Sequence, residues 1–178
     1  MKILPTFVPS LYAFRYSDQE FDELEKIFDE WEDASFLYTF FEENEQDISV
    51  SIDEAIVKVR NEAKFLRKKL INLTTSEPIR LNELFKNLYN NELTFKPLSL
   101  QKAPNRWLRL YAIRIDVNIY VITGGTIKLD GGAIAARKEF SMQDRPHTNN
   151  ELKKIKKCRD YLKVEGVFDE DSFYEIIF

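Results

Sequence analysis

The chain has little of the residues on which several common kinds of site depend. Its 178 residues include one cysteine, one histidine, five glycines and six prolines. A single cysteine, Cys158, excludes an internal disulfide framework and is typical of a reducing compartment. One histidine and one cysteine cannot make an ordinary zinc site without several carboxylates. We therefore predict neither a metal nor another cofactor, and we interpret Cys158 as an inert packing residue.

Long apolar runs and phosphate-binding glycine motifs are also missing. No stretch of about 18 uncharged apolar residues occurs, so we predict no membrane span and no membrane partner. The first residues carry Pro5 and Pro9 and lack the pattern of a secretory leader, so we expect a cytoplasmic protein. Neither GxGxxG nor GxxxxGK[ST] is present, which disfavours a nucleotide-binding loop. Hydrophobic residues make up 44% of the chain, enough for one ordinary core.

Charge is distributed unevenly along the chain. Residues 96–163 hold 15 Lys and Arg against 6 Asp and Glu, whereas residues 1–95 hold 11 against 19. The last 15 residues carry five acidic and no basic side chains. The net charge of −4 therefore conceals a polarised molecule. A basic segment of this kind indicates an anionic partner such as nucleic acid, or an acidic surface of the same protein.

The first half has the pattern of helices. Ser17 with Glu20, and Ser51 with Glu54, are capping-box pairs followed by apolar residues at helical spacing. A second helix is predicted from Phe36 to Glu43, and a fourth after Ser76. We interpret residues 1–92 as an acidic helical region.

From residue 93 onwards the pattern changes to that of strands. Trp107 to Ile115 and Ile119 to Thr123 are predicted strands joined by a turn, and Gly124-Gly125 is predicted to be a second turn before a third strand, Thr126 to Leu129. Pro97 indicates an edge strand or a bulge. Thr148 with Glu151 predicts a basic helix that ends at Gly166. The end of the chain returns as a helix from Ser172 or as a strand.

These patterns predict an α+β protein. Its helical N-terminal half packs on a small antiparallel sheet, and a basic C-terminal helix follows. Residues 93–178 are the antiparallel meander plus helix, forming one compact unit with the first region.

The chain resembles the C-terminal portion of RelE/HigB-type bacterial toxins in the order of four segments: RWLRLYAIRID, NIYVITGG, TIKLD and HTNNELKKIKKCRDYL. Glu151, Arg159 and Tyr161 lie on the helix that corresponds, and Phe140 stands where the toxins often place an aromatic residue. The chain departs from the pattern after Phe140, where residues 141–143 replace a lysine pair. The long acidic first half is a second departure.

The resemblance implies a metal-independent mRNA endoribonuclease of a toxin–antitoxin pair. Its partners would be RNA or the ribosome, and a helix-turn-helix antitoxin. Attack by a 2′-hydroxyl on the adjacent phosphate requires cations for the charged transition state. Candidate phosphate-binding residues are Arg109, Arg114, Lys128, Arg137, Lys138 and Arg145. Tyr111 and Tyr120 are candidates for stacking on an unpaired base.

The catalytic candidates are His147, Arg145 and Arg109. A neutral His147 near the start of a helix can accept a proton, because a helix N-terminus disfavours imidazolium. The alternative for His147 is packing against Leu152 as a hydrophobic staple. The alternative for the whole protein is a non-catalytic interaction or assembly module, in which acidic helices dock on the basic half within one molecule or in a homo-oligomer.

Overall fold

A computed structural model of the chain describes residues 1–75, 80–88, 95–100, 105–129 and 145–177. Six strands lie within these ranges: β1 Lys2–Pro5, β2 Leu11–Arg15, β3 Phe85–Asn87, β4 Lys96–Leu100, β5 Leu108–Asp116 and β6 Ile119–Ile127. The helices are α1 Glu23–Glu32, α2 Ala34–Glu43, α3 Ile52–Leu73, α4 Leu81–Leu84, α5 Pro146–Val164 and α6 Glu170–Ile177, with a 3₁₀ turn at Glu45–Asp47.

The strands form one mixed sheet in the order β1-β2-β6-β5-β4-β3. The predicted antiparallel meander of residues 93–178 is present in β4, β5 and β6. The sheet as a whole is mixed, because β2 runs parallel to β6, with Leu11 opposite Tyr120 and Ala13 opposite Ile122. A parallel pair needs a long crossover, and α1, α2 and α3 lie in the chain between these two strands. The first half is also not all helical, since it contributes β1, β2 and β3 to the sheet.

Apolar side chains cover both faces of the sheet. One face packs against α1, α2 and α3 through alternate strand residues, including Leu110 and Ile122. The other face packs against α5 and α6 through residues such as Phe14 and Val121, which meet Leu162. The central strands are therefore buried on both sides, which explains their nearly continuous β-branched and leucine-rich sequence. The mixed α and β composition predicted from the sequence is confirmed.

Helix starts follow local capping chemistry. The capping box of α3 is present as predicted: the Glu54 backbone N–H donates to Ser51 Oγ at 3.2 Å, and the Ser51 N–H donates to Glu54 Oε2 at 2.9 Å. For α1, the predicted start at Ser17 is wrong. The carboxylate of Asp22 accepts from the backbone N–H groups of Leu24 and Glu25, and the helix begins at Glu23. An aspartate next to the first turn thus caps the helix instead of the upstream serine.

The pair Gly124-Gly125 lies inside β6 and does not form the predicted turn. A Cβ on Gly125 would stand 2.8 Å from Ile27 Cδ1 and 3.0 Å from the Arg109 carbonyl oxygen. A Cβ on Gly124 would stand 2.1 Å from Glu151 Oε2. A side chain at Gly125 would thus collide with α1 and with the backbone of β5, whereas at Gly124 the nearest atoms are the ends of the Glu151 and Glu23 side chains. The predicted third strand ending at Leu129 is likewise wrong, since β6 continues without a break to Ile127.

Other predictions near the sheet have mixed outcomes. Pro97 lies in β4, which is paired on both sides, so β4 is not an edge strand. The Pro97 carbonyl accepts from the Leu88 N–H at 2.8 Å.

The fourth helix is a single turn, α4, and part of its predicted range lies outside the described residues. The basic helix ends where expected, because Gly166 adopts a left-handed φ of 74° that favours glycine.

Candidate functional site

A basic cleft lies beside the last residues of β6. It has a volume of about 450 Å³ and four cationic side chains in its wall. They come from α3, from the segment before β5, from β5 and from the segment after β6: Lys58, Arg106, Arg109 and Lys128. These four residues define what we call the basic cleft. Two of them, Arg109 and Lys128, are phosphate-binding candidates that the sequence analysis named.

A buried carboxylate holds the cleft in shape. Glu62 on α3 is 6% exposed and accepts hydrogen bonds from the backbone N–H groups of Trp107 and Leu108, at 2.9 and 3.1 Å from Oε2. It also lies 3.3 Å from the Lys58 ammonium. Glu62 thereby fixes the start of β5 against α3 and partly neutralises Lys58. The remaining cations of the cleft are Arg106, Arg109 and Lys128.

The two arginines of the cleft are oriented by neighbouring groups. The Arg109 guanidinium donates to the backbone carbonyls of Arg106 and Leu108, at 3.0 and 2.8 Å. Burial lowers the pKa of Arg109, although a guanidinium stays charged at any physiological pH. The Arg106 guanidinium lies 4.4 Å from the centre of the Phe65 ring. A partly desolvated, oriented guanidinium binds a phosphate oxygen more strongly than a fully hydrated one.

A second cavity, the α1–α5 pocket, is lined by residues of α1, α2, β6 and α5. It has a volume of about 240 Å³ and is lined on one side by the rings of Trp31, Phe36, Phe40 and His147. The other side has polar and charged groups: Lys26, Glu30, Asn150, Glu151 and Lys154. Ile127 of the pocket is followed in the chain by Lys128 of the cleft, although the described residues that line the two cavities do not overlap.

A network of buried charges closes the inner end of this pocket. Glu23 on α1 is fully buried, and its carboxylate accepts from Lys154 at 2.8 Å and from the Gln19 amide at 2.9 Å. Lys154 also lies 3.1 Å from Glu151 Oε1. Burial raises the pKa of Glu151 to about 7, a shift that Lys154 opposes. Although burial works against it, the carboxylates of Glu151 and Glu23 raise the pKa of Lys154. Lys154 is therefore charged, whereas Glu151 titrates near neutrality.

His147 sits at the mouth of the pocket. Its Nε2 lies 3.1 Å from the carbonyl oxygen of Ile127, which can only accept, so Nε2 carries the proton and Nδ1 of the neutral ring is an acceptor. The ring packs edge-on against Phe40, with 5.2 Å between ring centres. Burial lowers the pKa of His147, and the nearby Arg145 charge adds to this effect. The ring thus packs on Phe40 of α2, and because α5 begins at Pro146, His147 lies inside the first turn and not before the cap, where a hydrophobic staple requires it.

Arg145 pairs with a buried carboxylate at the start of α5. Its guanidinium donates to Asp47, which is 2% exposed, at the end of the 3₁₀ turn. This ion pair fixes the first turn of α5, on which His147 lies two residues later. Arg145 thus has a positioning role in the described structure. The Arg145 side chain is 28% exposed, so only that part of it is available to a phosphate.

The remaining candidates are distributed over the molecule. Tyr111 and Tyr120 are each 2% exposed, and Tyr120 stacks on Phe85 with 6.0 Å between ring centres. The described structure therefore exposes little of either ring for stacking on an RNA base, although Tyr120 lines a cavity together with Arg114. Arg114 lines a different cavity of about 550 Å³, beyond the opposite end of the β5–β6 hairpin, together with Arg80. Arg137, Lys138 and Phe140 lie outside the described residues.

The sequence analysis missed three buried acids that organise these sites. Glu23, Glu62 and Glu151 each continue the apolar stripe of their own helix: Glu23 precedes Ile27 and Trp31, and Glu151 precedes Ile155 and Cys158, at spacings of three or four residues. An acidic residue in line with an apolar stripe is the signal that was available. Such an acid is buried with the stripe and requires a partner.

Comparisons with protein-family models, with curated proteins and with solved structures gave no match to this chain. Among the described residues, no group of three or more His, Cys, Asp or Glu side chains is arranged to hold a metal ion. Within the same ranges, no helix has both the length and the apolarity of a membrane span.

Proposed function

We propose that the protein binds single-stranded RNA along the basic cleft and cleaves it without a metal ion, as a toxin-like endoribonuclease. The observation that carries the proposal is that Ile127, whose carbonyl oxygen lies 3.1 Å from His147 Nε2, is followed in the chain by Lys128 of the basic cleft. The basic cleft supplies cations for backbone phosphates, and His147 supplies a neutral imidazole attached to the adjacent carbonyl. Cations and a proton acceptor are the groups that attack by a 2′-hydroxyl requires.

The chemical step uses His147 from the α1–α5 pocket and cations from the basic cleft. The 2′-oxygen forms a bond to phosphorus as its proton passes to Nδ1 of His147, and the bond from phosphorus to the 5′-oxygen breaks. The departing 5′-oxygen takes a proton from water, and the product carries a 2′,3′-cyclic phosphate. Arg109 and Lys128 stabilise the negative charge that develops on the phosphoryl oxygens. No oxidation or reduction occurs.

The test uses purified protein and a labelled single-stranded RNA in the presence of excess chelator. We expect cleavage products with cyclic phosphate ends, no cleavage of an all-2′-deoxy substrate, and loss of activity in His147→Asn. Lys128→Gln should weaken RNA binding, whereas Lys156→Gln, an exposed change on α5, is the matched control. RNA binding without cleavage would reject the nuclease step, and absence of binding would reject the whole proposal.

Growth after controlled expression in a bacterial host tests the toxin part. Arrest that His147→Asn and Lys128→Gln relieve would support it, and normal growth with well-expressed protein would contradict it. Arg145→Ala is a poor probe for this purpose, because it leaves the buried Asp47 carboxylate without its ion pair and lowers stability as well. A helix-turn-helix antitoxin would be the partner that suppresses this arrest.

A second candidate, the non-catalytic interaction module, is favoured by one observation. Two ion pairs with buried carboxylates, Glu23–Lys154 and Asp47–Arg145, join the acidic first half to the basic α5 within one chain. Some acidic side chains of the first half thus pair with basic side chains of the second half inside one molecule, as that hypothesis expects. Its homo-oligomeric version predicts self-association that weakens between low and moderate salt, which sedimentation at two ionic strengths would measure.

A further inference from the structure

We propose that a single-stranded RNA bound in the basic cleft continues over the exposed side of α3. Three cationic side chains on that side contact its phosphates, and one aromatic ring stacks on a base. These four residues define what we call the outer face of α3: Arg60, Lys64, Phe65 and Lys68. The nature of the ligand rests on the proposed function, and the outer face is a second contact surface outside the cleft.

The charges of α3 are separated along the helix. Its acidic residues lie in the first turn, as Asp53 and Glu54 do, or are buried, as Glu62 is. From residue 55 to the end of the helix, the sequence has six Lys or Arg and no acid other than Glu62. The helix is therefore strongly basic beyond its first turn, although the first half of the chain is acidic as a whole.

Three of these cations form a row on the exposed side of the helix. Arg60, Lys64 and Lys68 follow one another at intervals of four residues, so they are neighbours on one side over about 12 Å. All three side chains are exposed. Among the described residues, none of the three takes part in an ion pair, whereas Lys58 and Arg67 of the same helix have carboxylate partners. A row of cations without counter-charges attracts a polyanion, because each phosphate contact releases condensed counterions.

Phe65 joins this row to the basic cleft. Its side chain is 54% exposed although it is a large apolar residue. The Arg106 guanidinium, which lines the cleft, lies 4.4 Å from the centre of this ring. Lys58 of the cleft precedes Phe65 by about two helical turns, so both lie on the same side of α3. An exposed ring among cations suits a single strand, because stacking of a base adds to the phosphate contacts.

An anionic lipid surface would also be attracted by a basic helix, but the pattern of apolar residues favours RNA. Val57 and Ile71 are the exposed aliphatic residues of α3, at 58% and 48%, and they lie among the cations. An interfacial helix instead gathers its apolar residues in one stripe that enters the membrane. The apolar stripe of α3, which includes Val59 and Leu66, is already buried in the core.

The test compares two 2′-O-methyl oligouridylates, which attack by a 2′-hydroxyl cannot cleave. One has four nucleotides and the other twelve, and neither has a terminal phosphate. The shorter strand has only three phosphates, which the cleft cations Arg106, Arg109 and Lys128 occupy. Each contact contributes roughly −0.7 to the slope of log affinity against log salt concentration. We expect a slope of about −2 for the short strand and about −4 for the long strand, whose further phosphates reach the outer face of α3.

The main variant combines Arg60→Gln, Lys64→Gln and Lys68→Gln. It should return the slope of the long strand to about −2 and leave binding of the short strand unchanged. Lys156→Gln, which removes an exposed charge from α5, is the control and should change neither slope. Equal slopes for the two strands, or a long-strand slope that the triple variant leaves unchanged, would overturn the proposal.

A second variant tests the stacking contact. Phe65→Leu should weaken binding of the long strand severalfold, because stacking on the ring is lost. Tyr38→Leu removes a ring that is 48% exposed on α2, and it should leave binding unchanged. Equal losses in the two variants would contradict a specific role for Phe65.

Failure of this proposal and failure of the proposed function give different results. If Lys128→Gln weakens both strands and the triple variant weakens neither, the cleft stands and the outer face of α3 is rejected. If the triple variant weakens the long strand and Lys128→Gln has no effect, the outer face stands and the cleft is rejected. If neither strand binds, both are rejected. Binding to phosphatidylserine vesicles that the triple variant abolishes would then identify a lipid surface as the partner.

Discussion

The carboxylate of Glu23 on α1 lies 2.8 Å from the ammonium of Lys154 on α5, and Glu23 has no exposed surface. This contact joins the acidic first half of the chain to its basic second half at the point where β6 carries its two glycines. The Tyr16 hydroxyl, which follows β2, donates to the Thr123 carbonyl at 2.9 Å in the same region. The interior here is polar, and its stability depends on paired groups.

Removing the lysine of this pair should destabilise the protein strongly. We expect Lys154→Met to lower the free energy of unfolding by about 3 kcal/mol, at the lower end for a buried ion pair because Lys154 is 26% exposed. The loss arises because Glu23 remains buried with only the Gln19 amide and the more distant Lys26 as donors. Urea denaturation at neutral pH measures it.

Lys156→Met is the matched control for that prediction. Lys156 pairs with Asp160 on the exposed face of the same helix, and both side chains are largely in water. Exposed pairs contribute between zero and about 1 kcal/mol. Equal losses in the two variants would contradict the structural role assigned to Lys154.

Glu151 should make stability depend on pH. Burial raises the pKa of its carboxyl group from 4.5 to about 7. The folded state therefore binds a proton more tightly than the unfolded state, and stability falls as pH rises from about 4.5 to about 7. One pKa unit corresponds to about 1.4 kcal/mol, so the contribution of this group amounts to at most about 3 kcal/mol.

Comparison with Glu151→Gln isolates this effect from other titrating groups. The variant cannot titrate at this position, so the difference in unfolding free energy between variant and wild type should grow in favour of the variant between pH 4.5 and 7. Denaturant titrations at several pH values give this difference. A constant difference over the whole range would show that Glu151 keeps its ordinary pKa in the folded protein.

The elements predicted best are those with strong local signals. Helix α3 combines a capping box with a long apolar stripe, and β5 and β6 are dense in branched residues around a short turn at Val117 and Asn118. Strands β1 and β2 were missed because they are short and lie near Pro5 and Pro9. β1 pairs with the nearby β2, but the place of β2 in the sheet depends on pairing with β6, more than 100 residues away, and no local pattern encodes such a contact.

The candidate site was predicted in part, and the missing part has a physical reason. Arg109 and Lys128 were found because a cluster of basic residues is visible in the sequence, and they do line one cleft. The burial of Tyr111 and Tyr120 was not predicted, because a tyrosine on a strand has the same pattern whether its face is covered or open. The pocket between α1 and α5 forms only when these helices pack against β6, and no local pattern predicts that contact. The glycines of β6, Gly124 and Gly125, have the sequence pattern of a turn.

Gly125 should tolerate no side chain. We expect Gly125→Ala to cost about 1–3 kcal/mol, because its Cβ would meet Ile27 Cδ1, Trp31 and the backbone carbonyl of Arg109 within 3.0 Å. In Gly166→Ala the new Cβ would have no neighbour within 4 Å. This substitution should lower the free energy of unfolding by about 1–2 kcal/mol, because alanine disfavours the positive φ at this position. Asparagine tolerates that φ, so Gly166→Asn should recover part of the loss, whereas Gly125→Asn should be worse than Gly125→Ala. Recovery at Gly125 would contradict the steric explanation.

Cys158 should be inert in the folded protein. It is fully buried, its Sγ lies 3.2 Å from the Tyr16 hydroxyl, and burial raises the pKa of the thiol to about 12. The thiolate is the reactive form, and little of it exists at neutral pH. A coloured disulfide reagent should therefore react with one thiol per chain in denaturant and at a negligible rate without it. Fast reaction under native conditions would show that α5 opens readily.

Salt dependence should report how many cations of the basic cleft contact the RNA backbone. Glu62 lies 3.3 Å from Lys58, and we assign one phosphate contact to each of the other three cations of the cleft, Arg106, Arg109 and Lys128. Each phosphate of a single strand contributes roughly −0.7 to the slope of log affinity against log salt concentration, so we expect a slope of about −2. Lys128→Gln and Arg106→Gln should each reduce its magnitude by about 0.7, and Lys156→Gln should leave it unchanged. Filter binding at four salt concentrations measures the slope. A slope that Lys156→Gln reduces as much as Lys128→Gln would move the RNA contact from the cleft to the exposed face of α5.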